Sequence, residues 1–281
     1  MQHLPDAASL KAWRDSQATD APVTLVPTMG ALHIGHRSLL EHALAAGGPV
    51  VVSIFVNPLQ FERSDDLQAY PRTLEADLAM LEEMGVAAVY LPTVEDLYPE
   101  GFQVSIDAGP AGSTFEGDAR PGHFAGMLTV VHKLFARCRP QVAWFGEKDA
   151  QQLFLVRRMA ADLDMGVRVE GCPTFREPDG LAFSSRNVHL DAEARQDALV
   201  LSRSLKVVEE AYAAGERDPR ALEQQMAACF EGSPARLAYA DVITEEQFVS
   251  AQPRDGCHWR AVVAARLDGV HLLDNRFLGP A

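Results

Sequence analysis

Apolar residues occur along this chain in short unbroken runs rich in Val and Ile, separated by longer stretches where they recur every three or four positions. The runs fall at residues 23–26, 49–56, 87–91, 141–145 and 167–169 and predict strands buried on both faces, as in a parallel sheet. Between them, Leu39, Leu40, Ala43 and Leu44 mark one helical face, and Leu74, Leu78, Leu81 and Met84 another. Leu128, Val131, Leu134 and Phe135 mark a third, and Leu153, Val156 and Met159 a fourth. Strands and helices alternating in this way predict a Rossmann-like, doubly wound α/β domain. After Pro173 the pattern changes. Residues 191–214 and 219–230 read as helices, and strand-like runs follow at 238–243, 260–267 and 270–273. That succession predicts a smaller C-terminal α+β domain, so the chain divides into residues 1–174 and 175–281. The glycine-bearing segment 109–122 predicts a surface loop near a site.

Composition narrows the function classes. The chain has 281 residues, 47% hydrophobic and 23% charged, enough apolar content for a buried core. Its 25 Lys and Arg stand against 39 Asp and Glu, a net charge of −14. Nucleic-acid binders carry a basic face, so this balance argues against such a partner, and an anionic substrate needs a local basic pocket. Cys138, Cys172, Cys229 and Cys257 have neither metal-ligand spacing nor a short disulfide framework, and read as free thiols in a reducing compartment. The first residues lack the basic stretch and apolar core of a signal peptide, and no apolar run is long enough to span a bilayer. The expectation is a cytoplasmic protein without membrane association.

The strongest chemical signal is Pro27-Thr28-Met29-Gly30-Ala31-Leu32-His33-Ile34-Gly35-His36, between the first predicted strand and the first predicted helix. A helix start offers unpaired N–H groups and a positive dipole end, which suits phosphate, and Gly30 and Gly35 permit close backbone approach. His33 and His36 are spaced to share a helix face, where two imidazoles can stabilise charge on phosphoryl oxygens. No third ligand lies near them to make a zinc site. Gly146-Glu147-Lys148-Asp149 follows the strand at 141–145, on the edge where open parallel sheets bind ligands. Lys148 suits phosphate as a point charge, while Asp149 can touch a ligand or cap the next helix. Of Gln151 and Gln152 at that helix's start, one is expected in the pocket and the other in solvent. Ser184-Ser185-Arg186-Asn187 is a compact oxyanion-binding set or an ordinary solvated loop. Arg120 and His123 can approach a phosphate or carboxylate, or belong to a plain loop. Asn57 and Gln60 end the second strand and are expected to offer neutral hydrogen bonds to a polar substrate. No Walker lysine loop, Gly-x-Gly-x-x-Gly fingerprint or Gly-x-Ser-x-Gly elbow is present, so an enzyme nucleophile is not indicated.

His33-Ile34-Gly35-His36 resembles the His-x-Gly-His motif of the nucleotidylyltransferase superfamily. More specifically, the ordered set at 27–33, 57–61, 70–73, 120–126, 146–149 and 184–187, with Leu273-Asp274-Asn275, resembles the pantoate–β-alanine ligase family over essentially the whole chain. That resemblance implies a two-step reaction: pantoate attacks the α-phosphorus of Mg-ATP to give pantoyl adenylate and pyrophosphate, then β-alanine displaces AMP. It implies nucleotide contacts at Met29, Gly30, His33, Gly35, His36, Gly146, Glu147, Lys148, Asp149, Phe183, Ser184, Ser185 and Arg186, with His33, His36, Lys148 and Arg186 catalytic and His36 the proton donor. Gln60 and Gln152 correspond to pantoate-holding glutamines, with Gln60 also toward β-alanine, and Asp77 falls where a carboxylate lies near the metal. Mg²⁺ is otherwise expected to ride on ATP and water. Phe175 and Phe183, placed toward adenine, and Ala150 depart from the commonest family residues, which bears on nucleotide affinity. The family also implies a homodimer, and because Ser184, Ser185 and Arg186 come after the domain boundary the C-terminal domain is expected to act as a lid over ATP. Competing readings are another nucleotidylyltransferase, whose acceptor pocket should be basic rather than lined by Gln60 and Gln152, and a non-catalytic nucleotide-binding module, which has no need of Lys148 and both histidines.

Overall fold

The computed structural model describes every residue except 19–21, 63, 254–257 and 280–281, so Cys257 lies outside the described residues. The chain forms two compact units, Met1–Glu147 with Gln151–Pro173, and Lys148–Ala150 with Thr174–Ala281. In the first unit the order is β1 (Gln2–Leu4), α1 (Ala7–Ser16), β2 (Thr24–Thr28), α2 (Ile34–Ala45), β3 (Val50–Ile54), α3 (Ser64–Ala69), α4 (Leu74–Glu83), β4 (Ala88–Tyr90), α5 (Val94–Leu97), α6 (Glu116–Ala119), α7 (His123–Cys138), β5 (Val142–Gly146), α8 (Ala150–Asp162) and β6 (Arg168–Cys172). The strands pair in parallel in the order β1-β4-β3-β2-β5-β6. Side chains alternate between its faces, as strand geometry requires. Leu25, Val51 and Tyr90 pack with Leu10, Trp13, Leu134 and Val156 on one face. Val26, Val50, Val52 and Val89 pack with Leu39, Leu40 and Leu81 on the other. Both faces are therefore covered, and the strands read as continuous apolar runs.

After β4 the chain returns across the sheet, and β5 pairs with the far edge of β2. The order in which strands are added thus reverses between β2 and β5. Ligands bind at the strand carboxyl ends beside such a reversal. The segments carrying His33, Gln60 and Gly146 leave the carboxyl ends of the neighbours β2, β3 and β5 respectively.

The second unit contains α9 (Ala192–Ala213), α10 (Pro219–Ala228) and an antiparallel sheet of β7 (Arg236–Thr244), β8 (Trp259–Leu267) and β9 (Val270–Leu278). Asp191 caps α9 by accepting from the N–H groups of Glu193 and Ala194, and Pro219 opens α10 behind its cap, Asp218. Leu199, Leu205, Leu222, Met226, Val263 and Trp259 fill the core between helices and sheet. None of the described helices is long and apolar enough to cross a membrane.

Three elements differ from expectation. β1 has one buried side chain, Leu4, and so shows no apolar run, yet it pairs with β4 at the sheet edge. β9 continues past residue 273 because its pairing with β8 runs unbroken to Leu278, across the polar residues Asp274, Asn275 and Arg276. The segment at 109–122 lies largely at the surface as expected but is not irregular throughout: it contains a 3₁₀ turn, Pro110–Ser113, and α6, with Glu116 and Gly117 buried.

Candidate active site

The loop from β2 to α2 is held from three directions. Thr28 donates its hydroxyl to the Ser53 carbonyl at 2.8 Å and accepts from the Gly30 N–H at 3.2 Å. Gly30 lies at φ +80° and Ala31 at φ +51°, a left-handed conformation uncommon for a residue with a Cβ. Asp77, on α4 and buried, holds that conformation: Oδ2 accepts from Ala31 N–H at 2.9 Å and Oδ1 from Leu32 N–H at 2.8 Å. The Thr73 hydroxyl also donates to Oδ1, at 3.0 Å. Gly30 is required twice over, since a Cβ there would also stand 3.0 Å from both Asp77 Oδ2 and Ile54 Cγ2.

The histidines terminate the loop. His33 is the N-cap of α2 rather than a residue of its face, and the pair forms a reciprocal cap. His33 Nδ1 accepts from Gly35 N–H at 3.1 Å, and His36 Nδ1 accepts from His33 N–H at 3.3 Å. The ring centroids stand 4.0 Å apart. An Nδ1 that accepts a backbone N–H cannot itself carry hydrogen, so this network assigns the proton of each neutral ring to Nε2. Both imidazoles are thereby fixed as Nε2–H donors at the head of a helix, beside its positive dipole end.

Gln60 ends a 3₁₀ turn, Pro58–Gln60, after β3. Its Oε1 accepts from Asn57 Nδ2 at 3.0 Å, and its Nε2 points to Met29 Sδ at 3.2 Å, which brings it against the histidine loop. The Gln60 carbonyl accepts from His123 Nδ1 at 2.9 Å and from Arg120 Nη2 at 3.5 Å. Arg120 and His123 thus hold the Gln60 backbone. Gly126 lets α7 lie directly on this turn: a Cβ there would fall 2.1 Å from the Leu59 carbonyl oxygen. At the start of α8, Gln151 is buried and seats the segment at 109–122. Its Nε2 donates to the carbonyls of Ala111 and Thr114, at 2.7 and 2.8 Å, and its Oε1 accepts from Glu116 N–H at 3.1 Å. Gln152, next to it, is half-buried.

In the second unit, Phe175 and Phe183 face each other across a short antiparallel pairing, with ring centroids 6.3 Å apart and Phe183 N–H bonded to the Phe175 carbonyl. Ser184 opens the 3₁₀ turn Ser185–His189, its Oγ accepting from Arg186 N–H at 3.3 Å. Arg176 anchors the pairing through two bonds to the buried Asp274 carboxylate, at 2.7 and 2.8 Å. Asn275 donates from Nδ2 to the Lys148 carbonyl at 2.8 Å, which fixes the backbone of that lysine. Lys148 Nζ lies 3.4 Å from Asp149 Oδ1, and Lys148 and Ser184 line one small cavity with Leu181, Asn187 and Asp274.

A sequence profile described as pantoate-beta-alanine ligase matches residues 2–277. The chain belongs to the pantoate–β-alanine ligase family. It is 48% identical over 277 residues to the pantothenate synthetase of Roseiflexus sp. (strain RS-1), covering 98% of each chain. The crystal structure of pantothenate synthetase from Thermus thermophilus superposes with a TM-score of 0.92 at 42% identity, covering 100% of both chains. Pantoate-beta-alanine ligase from Francisella tularensis, crystallised with beta-gamma ATP and beta-alanine, gives a TM-score of 0.79 at 31% identity over 99% of this chain and 97% of that one. Membership of the ligase family is consistent with the Rossmann-like first unit and the smaller second unit.

Two of the residues singled out from sequence do work other than that expected. Asn57 is buried with both ends of its amide committed: Nδ2 to Gln60 Oε1 and the Gly126 carbonyl, Oδ1 to Tyr98 O–H and Leu59 N–H. It therefore supports Gln60 rather than offering its own amide to a substrate. Gln151 does not face solvent but is spent on the 109–122 segment, which leaves Gln152 as the glutamine with exposed surface. Asp77 anchors the loop through both oxygens, and among the described residues no group of three or more His, Cys, Asp or Glu could hold a metal ion. Asp77→Asn would set an NH₂ group against a backbone N–H whichever way the amide turns. An orphaned buried donor costs about 1–3 kcal/mol, so thermal unfolding should show a drop of that order, with lower turnover at every Mg²⁺ concentration. An unchanged melting curve with a displaced Mg²⁺ optimum would instead make Asp77 a metal contact.

Proposed function

We propose that the protein condenses pantoate with β-alanine to give pantothenate, driven by cleavage of ATP to AMP and pyrophosphate. In the first step a pantoate carboxylate oxygen bonds to the α-phosphorus while the bond from that phosphorus to the β-bridging oxygen breaks. The β-alanine amine then attacks the acyl carbon, the acyl–oxygen bond to phosphate breaks, AMP departs, and the amine proton goes to solvent. The observation that carries this reading is the pair of Nε2–H donors fixed at the α2 N-terminus beside Gln60. In-line displacement at phosphorus needs positioning and charge stabilisation rather than an enzyme nucleophile. His33 and His36 supply donors, with Met29, Gly30 and Gly35 giving close backbone approach. Lys148 and Arg186 supply charge to the phosphates, with Ser184, Ser185, Gly146, Glu147 and Asp149 as further nucleotide contacts. Phe175 and Phe183 hold the adenine. Gln60 and Gln152 take pantoate, and Gln60 also meets β-alanine. Mg²⁺ carried in on ATP would neutralise charge on the triphosphate, held mostly by phosphate and water, with Asp77 the one carboxylate placed near it by the family pattern. The Francisella relative crystallised with beta-gamma ATP and beta-alanine supports two of the three substrates.

Mass spectrometry after mixing ATP, Mg²⁺, pantoate and β-alanine should show pantothenate with AMP and pyrophosphate in equal amounts. ADP in place of AMP would defeat the adenylate route. Pantoate alone should release pyrophosphate in a single turnover; a strict need for β-alanine would rule out a separate acyl-adenylate. Gln152→Ala removes one hydrogen-bonding partner of pantoate, an effect of about 1–2 kcal/mol. Calorimetry should show pantoate binding weakened roughly five- to thirtyfold, as that energy converts, with ATP binding unchanged. Weaker ATP binding with pantoate unaffected would reassign the residue.

A further inference from the structure

Gln60 is the end of a chain of buried and partly buried hydrogen bonds that begins far from it in sequence. Tyr98, just after α5, donates its hydroxyl to Asn57 Oδ1 at 2.7 Å. Asn57 Nδ2 donates to Gln60 Oε1 at 3.0 Å and to the Gly126 carbonyl at 3.1 Å. Each partner forces the sense of the next. The Gly126 carbonyl can only accept and Leu59 N–H, at 3.3 Å from Oδ1, can only donate, so the Asn57 amide has one orientation and the tyrosine must be the donor. With Oε1 engaged, Gln60 presents its NH₂ toward the loop at Met29.

The Tyr98 ring is itself clamped. Phe102 lies 5.0 Å and Phe55 6.2 Å from it between centroids, and Lys133 Nζ stands 5.9 Å from its centre. Burial pushes the phenol well above its ordinary pKa, so the hydroxyl keeps its proton throughout the range in which an enzyme is assayed.

We propose that Tyr98 is a positioning residue that, through Asn57, holds the Gln60 amide with its NH₂ toward the substrate and so selects an oxygen acceptor such as a pantoate carboxylate or hydroxyl. The proposal rests on the reading of Gln60 as a pantoate contact. Without the Tyr98 hydroxyl the Asn57 amide keeps its orientation between the Gly126 carbonyl and Leu59 N–H but loses its shortest bond, so its grip on Gln60 Oε1 loosens, Gln60 is freed to turn, and its Oε1 then opposes the substrate's oxygen.

Tyr98→Phe keeps the ring and removes only the donor. KM for pantoate should rise roughly three- to tenfold, the loss expected for one net hydrogen bond, while kcat and KM for ATP change less than twofold. Side-chain NH₂ signals of Asn57 and Gln60 in the NMR spectrum should exchange faster with water. Tyr90→Phe is the matched control: it removes another buried tyrosine hydroxyl, bonded to Asp96 Oδ2 at 2.6 Å, with no link to Gln60 in the chain above. It should lower the melting temperature without moving KM for pantoate. Unchanged amide exchange in Tyr98→Phe overturns the coupling whatever the substrate proves to be. Changed exchange with unchanged KM, in a protein that makes pantothenate, overturns its role in selection. Equal shifts in KM for the two variants reduce the effect to general loosening. If the wild type makes no pantothenate, the substrate reading and the selective role fall together, and the exchange experiment still decides the coupling.

Discussion

Replacing His36 with alanine should slow pantoyl-adenylate formation by roughly two to three orders of magnitude, about 2.7–4 kcal/mol by analogy with one lost oxyanion-hole donor. The ring's Nδ1 accepts from the His33 backbone, which puts its proton on Nε2, and on the proposed function that N–H serves charge developing on the phosphoryl oxygens. The same substitution removes one half of the α2 cap. A lost cap costs about 1 kcal/mol, so the melting temperature should fall only modestly while the rate collapses. Single-turnover pyrophosphate release with saturating ATP and pantoate separates these effects. A rate loss no larger than the stability loss would make the histidine a structural cap and nothing more.

The parallel sheet was legible because its central strands are buried on both faces, and residues such as Val50, Val51 and Val52 leave no polar side to confuse the pattern. β1 was not, because a strand with a single buried residue has no period to read. The helices of the second unit were legible as residues 191–214 and 219–230, and Asp191 and Asp218 cap them where those stretches begin. In the site, contiguous motifs were visible as motifs, but their mechanics were not. The spacing of His33 and His36 predicts a shared helix face, whereas the rings meet because each accepts a backbone N–H at the helix entrance. Asp77 reaches Ala31 from 46 residues away and Tyr98 reaches Asn57 from 41 residues away. Contacts of that separation leave no trace in local periodicity, so only the family resemblance marks Asp77 and nothing in the sequence marks Tyr98. Gln151 and Gln152 are adjacent and chemically identical. Only the packing of the segment at 109–122 separates the one that holds the fold from the one with exposed surface.

Gly126→Ala should be severely damaging, although Gly126 sits inside a helix where alanine is intrinsically favoured by about 1 kcal/mol. The added Cβ would stand 2.1 Å from the Leu59 carbonyl oxygen, 2.4 Å from its carbon and 2.8 Å from Gln60 N. All three are backbone atoms, so no rotamer change relieves the overlap: either α7 retreats or the 3₁₀ turn moves. Overpacking of this kind costs about 1–3 kcal/mol, and the rigidity of the neighbours puts this case near 3 kcal/mol even after the helix preference is counted. The functional cost should be disproportionate, because the displaced atoms carry Gln60 and because the Gly126 carbonyl accepts from Asn57 Nδ2. A shift of the turn would also lengthen the bond from His123 Nδ1 to the Gln60 carbonyl, now 2.9 Å. Pantoate binding should therefore weaken by at least about tenfold, the equivalent of 1.4 kcal/mol, while ATP binding is spared. Calorimetry for the two substrates together with thermal unfolding gives both readings on one sample. Stability and pantoate affinity both at wild-type levels would mean that α7 and the turn have slack at this contact, and Gly126 would then have no part in placing Gln60.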